Sequence, residues 1–125
     1  MQARFRCPAL VGLAILVSLA LASSASAQDA NEIRELVEIN KLRKQAEQQE
    51  SDGQFAVCAH TYMSLYEKHP NARRGDELLY NAVVCYEAAL LAGEAIRTLH
   101  ILESRFSGSS LAAKGIQRRA NLAAS

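Results

Sequence analysis

Residues 58–72 read CAHTYMSLYEKHPNA, and 37 positions later residues 95–109 read AIRTLHILESRFSGS. In both segments a small residue is followed by apolar residues at helical spacing and then by a break. The large positions recur in order, with Tyr62 matched by Leu99 and Leu65 matched by Leu102. A period in the thirties is typical of a solenoid built from helix–turn–helix units, so this stretch predicts a helical repeat.

The same helical spacing of apolar residues extends over the chain after residue 27, and no stretch alternates as a strand would. Interruptions between successive helices are indicated at 51–53, 69–71, Gly93 and 107–110. Either Asn71 or Asp76 is expected to cap the N-terminal end of the third helix. We therefore predict an all-α fold, a short helical-repeat solenoid of antiparallel helix pairs. Its five helices are expected near 30–50, 54–68, 74–91, 94–106 and 110–122.

The first 27 residues have the three-part layout of a secretory signal peptide. Arg4 and Arg6 precede an apolar run at 9–22, and small residues then lead to an Ala-x-Ala cleavage site at 25–27. The apolar run is shorter than the roughly 20 residues that a membrane-spanning helix needs. We predict a signal peptide at 1–27, a helical domain at 28–125, a periplasmic or secreted location, and no stable membrane insertion after cleavage.

The charge balance argues against nucleic acid as a partner. The formal net charge of the whole chain is +1, and removing Arg4 and Arg6 leaves 12 basic residues against 13 acidic ones. Binding to nucleic acid relies on a marked excess of basic residues. A near-neutral exported domain is therefore not expected to bind nucleic acid or an anionic membrane surface through charge alone.

Two cysteines, Cys58 and Cys85, remain once Cys7 is removed with the signal peptide. In an oxidising compartment such a pair is expected to form one disulfide, although two buried thiols are the alternative. A bridge would link the second helix to the third and stabilise the fold by about 3 kcal/mol.

The sequence shows no pattern that indicates catalysis. The three histidines, His60, His69 and His100, lack the spacing of a metal motif, and no nucleophile stands beside a base in a known arrangement. We predict no catalytic residue, no cofactor and no metal, and hence a protein that is not an enzyme. The alternative is a small thiol-redox or metal-binding periplasmic protein that uses Cys58 and Cys85.

Residues 80–86, YNAVVCY, followed by a glycine and by small and apolar residues at fixed spacing, resemble a tetratricopeptide repeat (TPR). The matching positions in the second half of that repeat are Gly93, Ala95, Ile96, Leu99 and Leu102. An earlier second helix is similar to the same family through Gly53, Phe55, Cys58, Tyr62, Leu65 and Pro70. The resemblance covers about 42–122, and it extends loosely to exported bacterial repeat proteins of the cell-division coordinator and outer-membrane assembly lipoprotein type.

The resemblance implies that the solenoid is right-handed and that the first helix of each pair lines a groove. In this chain it assigns five partner-binding candidates to the third helix, with Asn81 first because a side-chain amide can bond an extended peptide backbone on two sides. The five are Glu77, Tyr80, Asn81, Val84 and Glu87. The implied function is that of an exported, non-catalytic adaptor or scaffold in the bacterial cell envelope.

The resemblance leaves two further alternatives at the C-terminal end. A repeat array normally needs about three repeats, and this chain supplies two and a half. Leu111, Ile116 and Leu122 are therefore expected to leave an apolar edge that binds a partner or a second copy. The other alternative is that the chain is a truncated piece of a longer repeat protein.

Overall fold

A computed structural model describes the backbone of residues 7–125 and the side chains of residues 26–125. Over these residues the secondary structure consists of five α-helices and no strand, which confirms the all-α prediction. The helices are α1 (Cys7–Ser51), α2 (Phe55–Lys68), α3 (Gly75–Ala88), α4 (Ala92–Arg105) and α5 (Ser110–Ala123). In the described part of the chain, none of these helices contains an apolar stretch long enough to cross a lipid bilayer.

The first helix differs from the prediction because it begins at Cys7 and not near residue 30. Between 13 and 52 the sequence contains neither glycine nor proline, so nothing in it interrupts a helix at the predicted cleavage site. The predicted signal peptide, 1–27, lies almost entirely outside the residues whose side chains are described. Its cleavage therefore stays a prediction.

The chain divides into two compact units, Met1–Glu38 and Ile39–Ser125. In the first unit the apolar side chains of Ile33, Leu36 and Val37 are exposed. The hydrophobic core belongs to the second unit, where the C-terminal part of α1 contributes Ile39 and Ala46.

The ends of α2 to α5 lie within three residues of the predicted ranges, and each of these helices has 14 residues. Two local predictions are wrong. Gly93 lies inside the first turn of α4, and α3 begins after Arg74, whose backbone is left-handed (φ 62°) and whose side chain makes no capping bond. Asp76 instead accepts the backbone N–H of Glu77 from within the first turn, at 2.9 Å.

The C-terminal ends of α2 and α4 share one backbone geometry at positions 37 residues apart. His69 has φ −127° and ψ 65°, and Phe106 has φ −130° and ψ 44°; each donates its N–H to the carbonyl four residues earlier. In both loops the N–H three residues further on bonds back to this residue: Ala72 to His69 at 3.1 Å, and Ser109 to Phe106 at 2.9 Å. The sequence repeat is therefore also a repeat of local structure.

The C-terminal ends of α1 and α3 share a second geometry, again 37 residues apart. Gly53 (φ 75°) and Leu90 (φ 61°) both have left-handed backbones. The N–H groups of the next residues, Gln54 and Leu91, bond to carbonyls five positions earlier at 2.8 and 2.9 Å. Both ends are therefore Schellman caps, the motif in which a left-handed residue ends a helix.

Short turns let neighbouring helices pack face to face: α2 packs on α3, α3 on α4, α4 on α5, and α3 also touches α5. Gly115 allows the close approach of α5, because a Cβ at that position would lie 3.0 Å from Cδ2 of Leu99. Burial of each large apolar side chain contributes about 2 kcal/mol. The largest fully buried side chains are Leu65, Leu78, Leu79, Leu99, Leu102, Val83, Cys58 and Cys85.

The predicted apolar edge on α5 is smaller in the structure than the sequence indicates. Leu111 and Leu122 are half-buried, and Leu122 packs against the core. Ile116 is the one member of the three that is exposed.

Candidate functional site

One face of α3 carries all five partner-binding candidates, and each of them is half-buried. Their spacing along the helix places them on one strip of its surface. A cavity of about 510 Å³ opens beside this strip, towards the start of α5. It is lined by Arg74, Asp76, Glu77, Tyr80, Asn81, Ser110 and Leu111.

Asn81 is held by α2. Its side chain shares a hydrogen bond with the hydroxyl of Tyr62, a residue whose side chain is buried. Burial raises the pKa of Tyr62 above its ordinary value, the carboxylates of Glu47 and Glu50 raise it further, and the bond to Asn81 acts in the opposite direction. A side-chain amide has two N–H donors and one carbonyl acceptor, so this bond orients Asn81 and leaves it further bonding capacity.

Arg118 of α5 holds two other candidates on α3. Its Nη1 donates to the hydroxyl of Tyr80 at 3.2 Å, and its guanidinium carbon lies 5.6 Å from the centre of that ring. The same guanidinium forms an ion pair with Glu87, and this bond is the main cause that raises the pKa of Arg118. Because Glu87 is paired with Arg118, this end of the strip has little net charge.

The opposite end of the strip is bounded by α1. Nη1 of Arg43 lies 3.8 Å from Oε2 of Glu77, and its Nη2 donates to the backbone carbonyl of Arg73 at 3.1 Å. Arg74 also pairs with Glu77. Side chains from α1, α3 and α5 therefore meet along one face, and the acidic candidates on α3 are both paired with arginine.

The start of α5 is tied to the start of α3. Ser109 caps α5 by accepting the N–H of Leu111 at 3.1 Å, and its hydroxyl donates to Oδ2 of Asp76 at 2.5 Å. The break at 107–110 was indicated by the sequence. The partner on α3 was not, because the bond joins residues 33 positions apart.

Cys58 and Cys85 form a disulfide in the structure, with their Cα atoms 6.0 Å apart. Both cysteines are fully buried, and the bridge joins α2 to α3 directly. A catalytic thiolate needs exposure and a neighbouring group that activates it. The position of the pair therefore favours a structural bridge.

No pattern in the sequence points to Glu50, which lies near the end of α1. Its carboxylate and the two sulfur atoms of Cys58 and Cys85 all lie within 4.8 Å of one another. Within the described part of the chain this is the one group of three metal-type ligands, and none of the histidines belongs to it. Spacings of 8 and 27 residues match no metal motif, so only the folded arrangement of α1, α2 and α3 brings the three together.

No protein-family model, no curated protein and no solved structure matches this chain. The class that the described residues define is a small all-α domain with a cavity beside the first half of α3 and a disulfide that joins α2 to α3. The resemblance to the TPR family stays a prediction from the sequence.

Proposed function

We propose that this chain is an exported, non-catalytic adaptor of the bacterial cell envelope, with a TPR-like helical domain that binds a segment of a partner protein along α3. The observation that carries the proposal is the convergence of α1, α3 and α5 on the strip that bears Asn81. Residues 1–27 support export, because they have the composition of a signal peptide.

The repeated backbone geometry supports a solenoid. Caps recur 37 residues apart at the ends of α1 and α3 and again at the ends of α2 and α4. In such an array each helix pair is too small to bury its own apolar face, so stacking creates a continuous core and a groove on one side. The contact between α3 and α5 fits this arrangement, in which first helices of successive pairs are neighbours.

The chemistry of the strip supports binding of a peptide segment with little net charge. Asn81 offers hydrogen bonds to a peptide backbone, and the half-buried Val84 offers an apolar contact one turn away. Because Glu77 and Glu87 are already paired with arginine, neither presents an unbalanced charge to a partner. A strongly basic segment would find no unpaired carboxylate among the five candidates.

The disulfide supports a role for this domain in an oxidising compartment. It fixes α3, which bears the five candidates, to α2, which orients Asn81 through Tyr62. A groove whose walls are held in place loses less conformational entropy when a partner binds. The bridge therefore stabilises the fold and preorganises the groove.

The test compares the same substitution at two valines, the half-buried Val84 and the exposed Val57. We expect Val84→Glu to abolish co-purification of partner proteins from the cell envelope, because it places an unpaired charge in the groove. Val57→Glu is the matched control, since Val57 is exposed and lies on α2, away from the strip of candidates on α3. Equal retention of partners by both variants would contradict the proposal.

A further inference from the structure

The disulfide is accompanied by a carboxylate at ligand distance. Cys58 comes from α2, Cys85 from α3 and Glu50 from the last turn of α1, and their ligand atoms lie within 4.8 Å of one another. The two sulfur atoms are buried, whereas Glu50 is exposed. The sulfur atoms of the cluster thus face the protein interior, and its carboxylate is accessible to solvent.

We propose that in the dithiol state Cys58, Cys85 and Glu50 bind one divalent cation of the zinc type. Two thiolates and one carboxylate are three ligands of a tetrahedral set, and the exposure of Glu50 leaves the fourth position to a water molecule. Thiolate sulfur selects zinc and related metals over calcium and magnesium, which prefer a shell of oxygen ligands. The inference concerns the cysteine pair and does not rest on the proposed function of the groove.

The dithiol state forms by reduction of the disulfide. A dithiol reductant gives two electrons and two protons to the Cys58–Cys85 bridge, so the S–S bond breaks, two thiols form, and the reductant leaves as a disulfide. The cation then displaces one proton from each thiol, and both protons go to water. Glu50 binds as a carboxylate.

The distances require only a small adjustment of side chains. Metal–ligand bonds of about 2.0–2.3 Å place tetrahedral ligand atoms roughly 3.5 Å apart. The carboxylate and the sulfur atoms start within 4.8 Å, and the Cα atoms of the two cysteines are 6.0 Å apart. Rotation of the cysteine side chains separates the sulfur atoms after reduction without a shift of the helices.

The bound cation would take the place of the bridge and would link three helices where the bridge links two. The disulfide joins α2 to α3, whereas the cation also binds α1 through Glu50. Metal binding to such a site adds to the free energy of folding, because the unfolded chain does not present the three ligands together. The reduced chain would thereby stay folded before its cysteines are oxidised.

Cobalt(II) is the probe for this site, because its spectrum reports sulfur ligands and tetrahedral geometry. The full chain is reduced, freed of reductant without oxygen, and titrated with cobalt. We expect one cobalt per chain, with a thiolate-to-cobalt charge-transfer band and the intense visible bands of a tetrahedral complex. Zinc should displace the cobalt, and the oxidised chain should show none of these bands.

The matched variants are Glu50→Gln and Glu47→Gln, one turn apart on α1. Both residues are exposed, so both variants are expected to fold. Glu50→Gln should weaken cobalt binding roughly tenfold or more, whereas Glu47→Gln should leave it within about twofold. The proposal is overturned if the reduced chain shows no charge-transfer band, if both variants bind equally, or if two chains share one cobalt.

Discussion

Gly53 and Leu90 end two different helices with the same left-handed backbone, at φ 75° and φ 61°. Both caps have the same pair of hydrogen bonds, yet one uses glycine and the other uses leucine. A non-glycine residue in this conformation costs about 1 kcal/mol. Leu90 recovers little of that cost through packing, because 90% of its surface is exposed.

Replacing Leu90 by glycine is expected to stabilise the domain. We predict that Leu90→Gly raises the free energy of unfolding by about 0.5–1 kcal/mol, since it removes backbone strain and few contacts. The reciprocal change, Gly53→Ala, should lower it by about 1 kcal/mol. Urea unfolding followed by circular dichroism measures both, and a loss of stability in Leu90→Gly would refute the equivalence of the two caps.

Two buried tyrosines on α2 are expected to respond oppositely to loss of the hydroxyl. Tyr62 shares a hydrogen bond with Asn81, so Tyr62→Phe should destabilise the domain by about 1 kcal/mol. The hydroxyl of Tyr66 is buried and has no hydrogen-bond partner among the described residues, so Tyr66→Phe should be neutral or stabilising. Thermal unfolding measures both, and equal changes in stability for the two variants would contradict the difference in hydrogen bonding between the two hydroxyls.

Removal of the disulfide is expected to cost about 3 kcal/mol, because the bridge closes a loop with a sequence separation of 27 residues. The double variant Cys58→Ala and Cys85→Ala leaves neither a thiol nor a metal ligand from this pair. Its free energy of unfolding is to be compared with that of the oxidised parent chain. If the two values agree within about 0.5 kcal/mol, the bridge does not stabilise the fold.

Alkaline pH is expected to destabilise the domain through Tyr62 and Tyr86. Burial is the main cause that raises the pKa of each above the ordinary value near 10. Above that value the unfolded chain loses phenolic protons that the folded chain keeps, so stability falls as pH rises towards the folded pKa values. The double variant Tyr62→Phe and Tyr86→Phe should show a smaller decline in unfolding free energy between about pH 9 and pH 11, and an unchanged decline would contradict the assignment.

Much of the fold was predictable because strong local signals mark the helix ends. The segments around Gly53, Pro70 and Ser109 each carry a residue that ends or caps a helix, and the structure has helix ends there. The turn before α4 was misplaced for the same reason. Gly93 looks like a turn residue, yet the turn is closed by Leu90, whose side chain carries no signal for a left-handed backbone.

Features that depend on contacts between distant residues were not predictable. The bond from Arg118 to Tyr80 arises only when α3 and α5 are in place, and the convergence of Glu50 with two cysteines only when α1, α2 and α3 are. No spacing rule connects such positions in a sequence. Asn81 was found because it belongs to a pattern that resembles a repeat family, whereas its partner Tyr62 lay in the core of another helix.

The most direct test of the adaptor proposal is photocrosslinking from a residue within the groove. A photoreactive amino acid is placed at Val84, and the same residue at Val57 on α2 is the control. The account predicts a discrete adduct with a partner protein from position 84, which weakens when Asn81 is also changed to Ala, and no such adduct from position 57. Adducts of equal yield from both positions, or adducts from 57 alone, would contradict it.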